Sequence, residues 1–168
     1  MSKPDISGII PPLVTPLTSK LGLDWEALAR LVEHVISGGV KGIFLLGSTG
    51  ESASLTMEFR HDVIRTAISK AGGRLPVVVN VATASYLETL KLADFAASEG
   101  ADCLAAAPPY YYEMTQEEVA SYMEKIAGHA SLPLLLYNAP QYTKTAFEGR
   151  TLARLSRHEN IHGIKDSS

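Results

Sequence analysis

Short apolar runs alternate with longer amphipathic ones from one end of the chain to the other. The short runs are Ile9 to Val14, Val40 to Leu46, Pro76 to Val81, Asp102 to Ala107, Leu134 to Tyr137 and Ile161 to Ile164. They are mostly apolar without alternation, as strands covered on both faces should be. Five helical patterns lie between them. The first has Asp24 as N-cap, Leu28, Leu31, Val32, Val35 and Ile36 at helical spacing, and Gly38-Gly39 as a stop. The second runs from about Thr56 to Gly72-Gly73, with Phe59, Val63, Ala67 and Ile68 facing inward. Ser85 with Glu88, and Thr115 with Glu118, match the capping box that opens a helix. The third helix then buries Leu90, Ala93 and Ala97, and the fourth Val119, Tyr122, Met123 and Ile126. A fifth, around Thr151 to His158, presents Leu152 and Leu155.

Each strand–helix step takes about 30 residues, the length of a right-handed βαβ unit. The pattern predicts an α/β protein with a parallel sheet, six strands and five helices long. Periodicity alone does not separate a doubly wound sheet from part of a (β/α)8 barrel.

Composition narrows the function classes. Apolar residues make up 46% and charged residues 20% of the 168 positions, the mix of a folded domain and not of a disordered chain. A net charge of −3 argues against a basic nucleic-acid or membrane-surface binder. The single cysteine makes no internal disulfide, so a reducing cytoplasm is the expected setting. The start, Met1-Ser-Lys-Pro-Asp-Ile-Ser, lacks the apolar stretch of a secretory signal. Nowhere does a run approach the roughly 18 apolar residues of a spanning helix. The chain reads as one soluble domain over residues 1–168.

The unusual polar residues collect just after strands. Gly47-Ser-Thr-Gly-Glu51, Pro108-Pro-Tyr-Tyr-Tyr112, Tyr137-Asn-Ala-Pro140 and Lys165-Asp-Ser-Ser168 each follow an apolar run. In a parallel α/β fold these ends share the face on which active sites are built. Lys165 closes the run Ile161-His-Gly-Ile164. An ammonium deprived of water gives up its proton more readily, and the neutral amine can attack a carbonyl. The plainer reading is a strand-end lysine facing solvent. Ser48 and Thr49, flanked by glycines, offer hydroxyls and backbone N–H groups suited to a small carboxylate or phosphate. The segment lacks the Gly-Lys-Ser/Thr ending of a nucleotide loop, and its plainer reading is a tight strand-to-helix turn. Tyr137 lies at a strand end near Lys165, where a phenol can relay a proton. Tyr110, Tyr111 and Tyr112 suit packing of a loop or an interface, and packing is the plainer reading of Tyr137 as well. No carboxylate cluster accompanies the scattered histidines at ligand spacing, so a metal site is not expected, and Cys103 reads as a small core residue.

Taken together, Gly47-Ser-Thr-Gly-Glu51, Pro109-Tyr-Tyr111, Tyr137-Asn-Ala-Pro140 and Gly163-Ile-Lys-Asp166 resemble the pyruvate-dependent class I aldolase and lyase family. That family includes dihydrodipicolinate synthase, N-acetylneuraminate lyase and 2-keto-3-deoxy sugar-acid aldolases. The likeness covers the whole chain but only the first half or so of a family member. It implies a (β/α)8 barrel of which this chain supplies six strands and five helices, with strands seven and eight and the last helices absent. It also implies that Lys165 forms a Schiff base with pyruvate or another 2-keto acid. Ser48, Thr49 and Gly47 would hold the carboxylate, and Tyr137 would shuttle protons with Ser48 and Tyr111. No metal or organic cofactor is then required. In several members the tyrosine matching Tyr111 crosses a dimer contact, so a homodimer or homotetramer is expected.

One departure bears on the substrate. Dihydrodipicolinate synthases of this family carry an arginine two residues after the proline of the Tyr-Asn-x-Pro motif, gripping the aldehyde's carboxylate. Here that position is Tyr142, which makes no bidentate charged contact, although Lys144 is near in sequence. The expectation is therefore a sugar-acid or N-acetylneuraminate-like lyase, with dihydrodipicolinate synthase as the alternative. Two further alternatives are an inactive partial barrel serving assembly and a keto-acid sensor on the same scaffold.

Overall fold

The computed structural model describes residues 5–168, so the reading of Met1 to Pro4 lies outside the described residues. Helix α1 (Trp25–Ser37) starts where the Asp24 carboxylate accepts from the Ala27 N–H at 2.8 Å, and it buries Leu28 and Val32 completely. Helix α2 (Met57–Ala71) is capped by Thr56 and ends at Gly72, whose φ of 58° is the left-handed cap a glycine adopts without penalty. Its inner face is Val63, Ile64, Ala67 and Ala71 with Arg60, rotated from the expected one: Phe59 and Ile68 are half-buried. Arg60 can turn inward because its Nε donates to the Leu55 carbonyl, leaving that donor satisfied.

Two compact units result. The first takes the residues up to Asn80 together with Phe95–Asp102. In it β1 (Ile43–Leu45) pairs in parallel with β2 (Val77–Asn80), Phe44 opposite Val78, with α2 as the connection. Every residue of both strands is buried. Arg74, just past α2, grips Glu33 of α1 through both guanidinium nitrogens at 3.0 Å, and Lys70 joins them at 3.3 Å. These two cations pull the Glu33 carboxyl down to about 2.

The second unit takes Val81–Asp94 and Cys103–Ser168. Helix α3 (Tyr86–Glu99) contributes residues to both units. Strand β3 (Cys103–Ala106) pairs in parallel with β4 (Leu134–Asn138), and β4 with β5 (Ile161–Asp166). Helix α4 (Gln116–His129) connects the first pair. A one-turn helix α5 (Pro140–Thr143) and α6 (Gly149–Leu155) connect the second. The Thr115–Glu118 capping box forms in full at the start of α4. Arg154 fastens α6 to α4 by bonds of 2.7–2.8 Å to Glu117 and Glu124. At the start of α3 a hydroxyl chain runs from Thr83 through the fully buried Thr89 to Tyr122, which is why two threonines tolerate burial there. Burial pushes the Tyr122 phenol up.

Several expectations need correction. The run Ile9 to Val14 is not a strand. Its backbone lies along β1 through Lys41 N–H to Ile9, Phe44 N–H to Pro11 and Leu13 N–H to Phe44, but forms only an isolated bridge at Pro12. Pro11 and Pro12 carry no N–H, so the ladder cannot extend, and among the described residues five strands stand in place of six. Helix α5 was not expected, and α6 ends three residues before His158. In α3 the fully buried apolar residues are Leu92 and Ala96, while Leu90 and Ala97 are half-buried; Tyr122 of α4 is half-buried because its hydroxyl reaches Thr89. Finally, β5 is not covered on both faces: Gly163 and Ile164 are exposed.

Candidate active site

The turn after β1 is built by steric exclusion. Leu46, buried at the end of β1, has φ 58°, and Glu51 has φ 53°, so two non-glycine residues in the left-handed region bracket Gly47–Gly50. Each such residue costs roughly 1–2 kcal/mol, a strain found chiefly at functional turns. The Asn80 amide holds the Leu46 carbonyl at 2.7 Å, and the Thr15 hydroxyl holds that of Gly50 at 2.7 Å. A Cβ on Gly50 would stand 2.9 Å from the Leu13 carbonyl oxygen, and one on Gly47 would stand 2.8 Å from the Phe44 ring. The glycines are buried and the turn lifts Ser48 and Thr49 to an exposed position. The expected tight turn is therefore present, and it leads into a short 3-10 segment, Ser52–Ser54, before α2.

The ends of β4 and β5 are built differently. The β4–β5 register runs Leu134 opposite Ile161 and then Leu135 opposite Gly163, so His162 is an extra residue on β5. Beyond this bulge Tyr137 stands opposite Lys165 and Asn138 opposite Asp166. An unbulged ladder would have set Ile164 against Tyr137, and a one-residue slip reverses which face a side chain takes. The bulge thus brings the two sequence-predicted groups together. The Lys165 Nζ sits 3.8 Å from the Tyr137 ring centroid, over the face of the ring, and donates to the Ser167 hydroxyl at 2.9 Å. Tyr137 is buried and Lys165 half-buried.

Sequence reading singled out Lys165 and Tyr137 but not the groups that hold them. The buried Asn138 donates from Nδ2 to Asp166 at 2.9 Å and accepts the Phe147 N–H at 3.2 Å. Its carbonyl accepts the Ser167 N–H at 2.9 Å. The Ser168 N–H also donates to Asp166, and these hydrogen bonds, Asn138's first, keep the Asp166 carboxyl below its ordinary range. The signal was present as an equal offset: Asn138 and Asp166 each follow a singled-out residue by one position.

Tyr111 lies in the same unit on an exposed loop, its ring edge-on to Tyr112 at 4.9 Å. Lys144 donates to the Tyr111 carbonyl at 3.2 Å and lies 5.9 Å from its ring centroid. Tyr142, on α5, is exposed. Three of the histidines have defined partners: His61 stacks on Phe95 at 4.0 Å, His129 meets Asp94 at 2.9 Å, and the Asn160 N–H bonds to His158. Cys103 is buried with Sγ 3.2 Å from the Pro133 carbonyl. Among the described residues no group of three or more His, Cys, Asp or Glu side chains is placed to hold a metal ion, and no helix is long and apolar enough to cross a membrane.

A model of the dihydrodipicolinate synthetase family matches residues 5–168. The chain belongs to that family. Among curated relatives, the 4-hydroxy-tetrahydrodipicolinate synthase of Phenylobacterium zucineum is 38% identical over all 168 residues, which cover 57% of its own length. The solved dihydrodipicolinate synthase of Bacteroides thetaiotaomicron is 45% identical with a TM-score of 0.93, covering 99% of this chain and 56% of that one. The chloride-inhibited dihydrodipicolinate synthase of Acinetobacter baumannii, solved with pyruvate, is 37% identical with a TM-score of 0.94, covering 97% and 56%. The chain therefore spans little more than half the length of the family members it matches. Its parallel α/β architecture is that of part of a (β/α)8 barrel, and members of the family are class I aldolase-type lyases and synthases.

Proposed function

We propose that this chain supplies the imine-forming half of a pyruvate-dependent aldolase or lyase, with Lys165 as the nucleophile. The observation that carries the proposal is the pairing of Tyr137 with Lys165 across a bulged register, with Nζ 3.8 Å over the ring. The lone pair of the neutral amine attacks C2 of pyruvate, the carbonyl oxygen takes a proton, and loss of water leaves an iminium. That cation acidifies the adjacent methyl group, whose proton leaves to give an enamine that attacks an aldehyde. The reverse sequence cleaves a carbon–carbon bond and releases pyruvate. Ser48 and Thr49 serve the carboxylate, Tyr137 and Tyr111 the proton transfers, and the working protein is a homo-oligomer. Pyruvate as donor is supported by its presence in the Acinetobacter baumannii relative. Treating the intact protein with pyruvate and borohydride is expected to convert Lys165 to a carboxyethyl-lysine; an unmodified Lys165 would sink the proposal.

For the acceptor, the names of the relatives favour 4-hydroxy-tetrahydrodipicolinate synthesis, the condensation of pyruvate with a carboxylate-bearing aldehyde. Tyr142 favours a second reading, cleavage of a 2-keto-3-deoxy sugar acid or N-acetylneuraminate-like substrate, because no guanidinium stands there to grip a second carboxylate. The engagement of Lys144 with the Tyr111 carbonyl counts against its taking over that task. Assaying condensation and pyruvate release side by side separates the two readings.

A further inference from the structure

Lys165 is a long, half-buried side chain of β5, and its ammonium donates to the hydroxyl of Ser167, two residues along the chain. The turn Asp166–Ser168 is held by four bonds: two to Asn138 of β4, one within the turn and one from Gln141 of α5. The Asp166 carboxylate takes the Asn138 amide at 2.9 Å and the Ser168 N–H at 3.1 Å. Ser167 gives its N–H to the Asn138 carbonyl at 2.9 Å and receives the Gln141 amide on its own carbonyl at 2.9 Å. Asn138 is anchored in turn, since its Oδ1 accepts the buried Phe147 N–H. The backbone of Ser167 is thereby fixed on both sides, and its hydroxyl receives Nζ of Lys165. The four-carbon stem of a lysine has many rotamers, and a bond that holds Nζ offsets part of the entropy of fixing one.

We propose that Asn138, Asp166 and Ser167 form a positioning clamp for Lys165, in which Asn138 and Asp166 seat the turn and the Ser167 hydroxyl holds Nζ over Tyr137. The neutral amine still carries two N–H donors, so the Ser167 hydroxyl goes on accepting from the nitrogen as the ammonium loses a proton, and the lone pair is left available. The hydroxyl therefore orients the nitrogen in the form that attacks. This deepens the proposed imine formation at Lys165 and rests on it.

The test is the rate of borohydride trapping on Lys165 at increasing pyruvate, in the intact protein, with melting temperature followed in parallel. Ser167→Ala and Asp166→Ala are expected to lower the maximal trapping rate about ten-fold, the scale of one lost hydrogen bond to a charged group. Half-saturating pyruvate should stay unchanged. Ser167→Thr and Asp166→Asn keep the oxygen acceptors and are expected to stay within about two-fold of the parent, a rescue that a purely structural role would not require. Parent-like trapping in the folded alanine variants, or a loss in the conservative pair as deep as in the alanine pair, overturns the clamp while leaving the imine in place. No adduct in the parent overturns both.

Discussion

The turn after β1 is shaped by what cannot fit, whereas the ends of β4 and β5 are shaped by what is bonded. In the first, buried glycines, a phenyl ring and two left-handed residues leave one path for the backbone, and the exposed serine and threonine ride on it. In the second, an asparagine and an aspartate on neighbouring strands fix a turn through directed hydrogen bonds. Steric shaping answers to added volume, and hydrogen-bonded shaping answers to lost polar atoms. The same chain thus uses two devices to present candidate functional groups at strand ends.

The largest expected effect comes from adding one methyl group to the first device. Gly50→Ala sets a Cβ 2.9 Å from the Leu13 carbonyl oxygen, backbone that cannot step aside. It is expected to destabilise by about 2–3 kcal/mol, toward the upper end for overpacking, in urea unfolding. Gly47→Ala meets the Phe44 side chain instead, and a ring that can tilt should make the cost smaller, about 1–2 kcal/mol. Removing polar atoms from the second device should cost about as much. Asn138→Ala leaves the buried Phe147 N–H without its acceptor and is expected to destabilise by about 1–2 kcal/mol, read by the same unfolding curves. Were Gly50→Ala silent and Asn138→Ala severe, both strand ends would have to be hydrogen-bonded constructions.

The smallest effect serves as a control remote from both devices. The Glu33 carboxyl, ordinarily near 4.5, is pulled down to about 2 by Arg74 and Lys70. A depressed carboxyl stabilises the fold above its ordinary value and loses that contribution as pH falls through the depressed one. The melting-temperature gap between the parent and Glu33→Gln should therefore be small and constant near neutrality, shrink below about pH 4.5 and vanish near pH 2. The pair is solvent-exposed, which keeps the gap small.

Local signals were legible in the sequence, and long-range ones were not. Asp24, Thr56 and Thr115 announce their helices because a cap is a contact over three residues. The apolar runs place β1 through β5 within a residue or three of their ends. The run Ile9 to Val14 has the apolar character of a strand but not the donors, because Pro11 and Pro12 lack the N–H groups a ladder needs. Helix α5 escaped because four residues are too short for periodicity, although the proline that opens it is a usual first helical residue. Lys165 and Tyr137 stood out as chemistry, but their meeting depends on the His162 bulge, a property of pairing that neither strand carries alone. Asn138 and Asp166 lie in the strand-end segments but carry no role on sequence alone, since each gains its role only from the other.

The most direct test of the central claim is peptide mapping by mass spectrometry after pyruvate and borohydride treatment of the intact protein, with Lys165→Ala in parallel. The account predicts a carboxyethyl group on Lys165 as the dominant adduct and none in the variant. An adduct spread over the surface lysines, or one undiminished in Lys165→Ala, would contradict it.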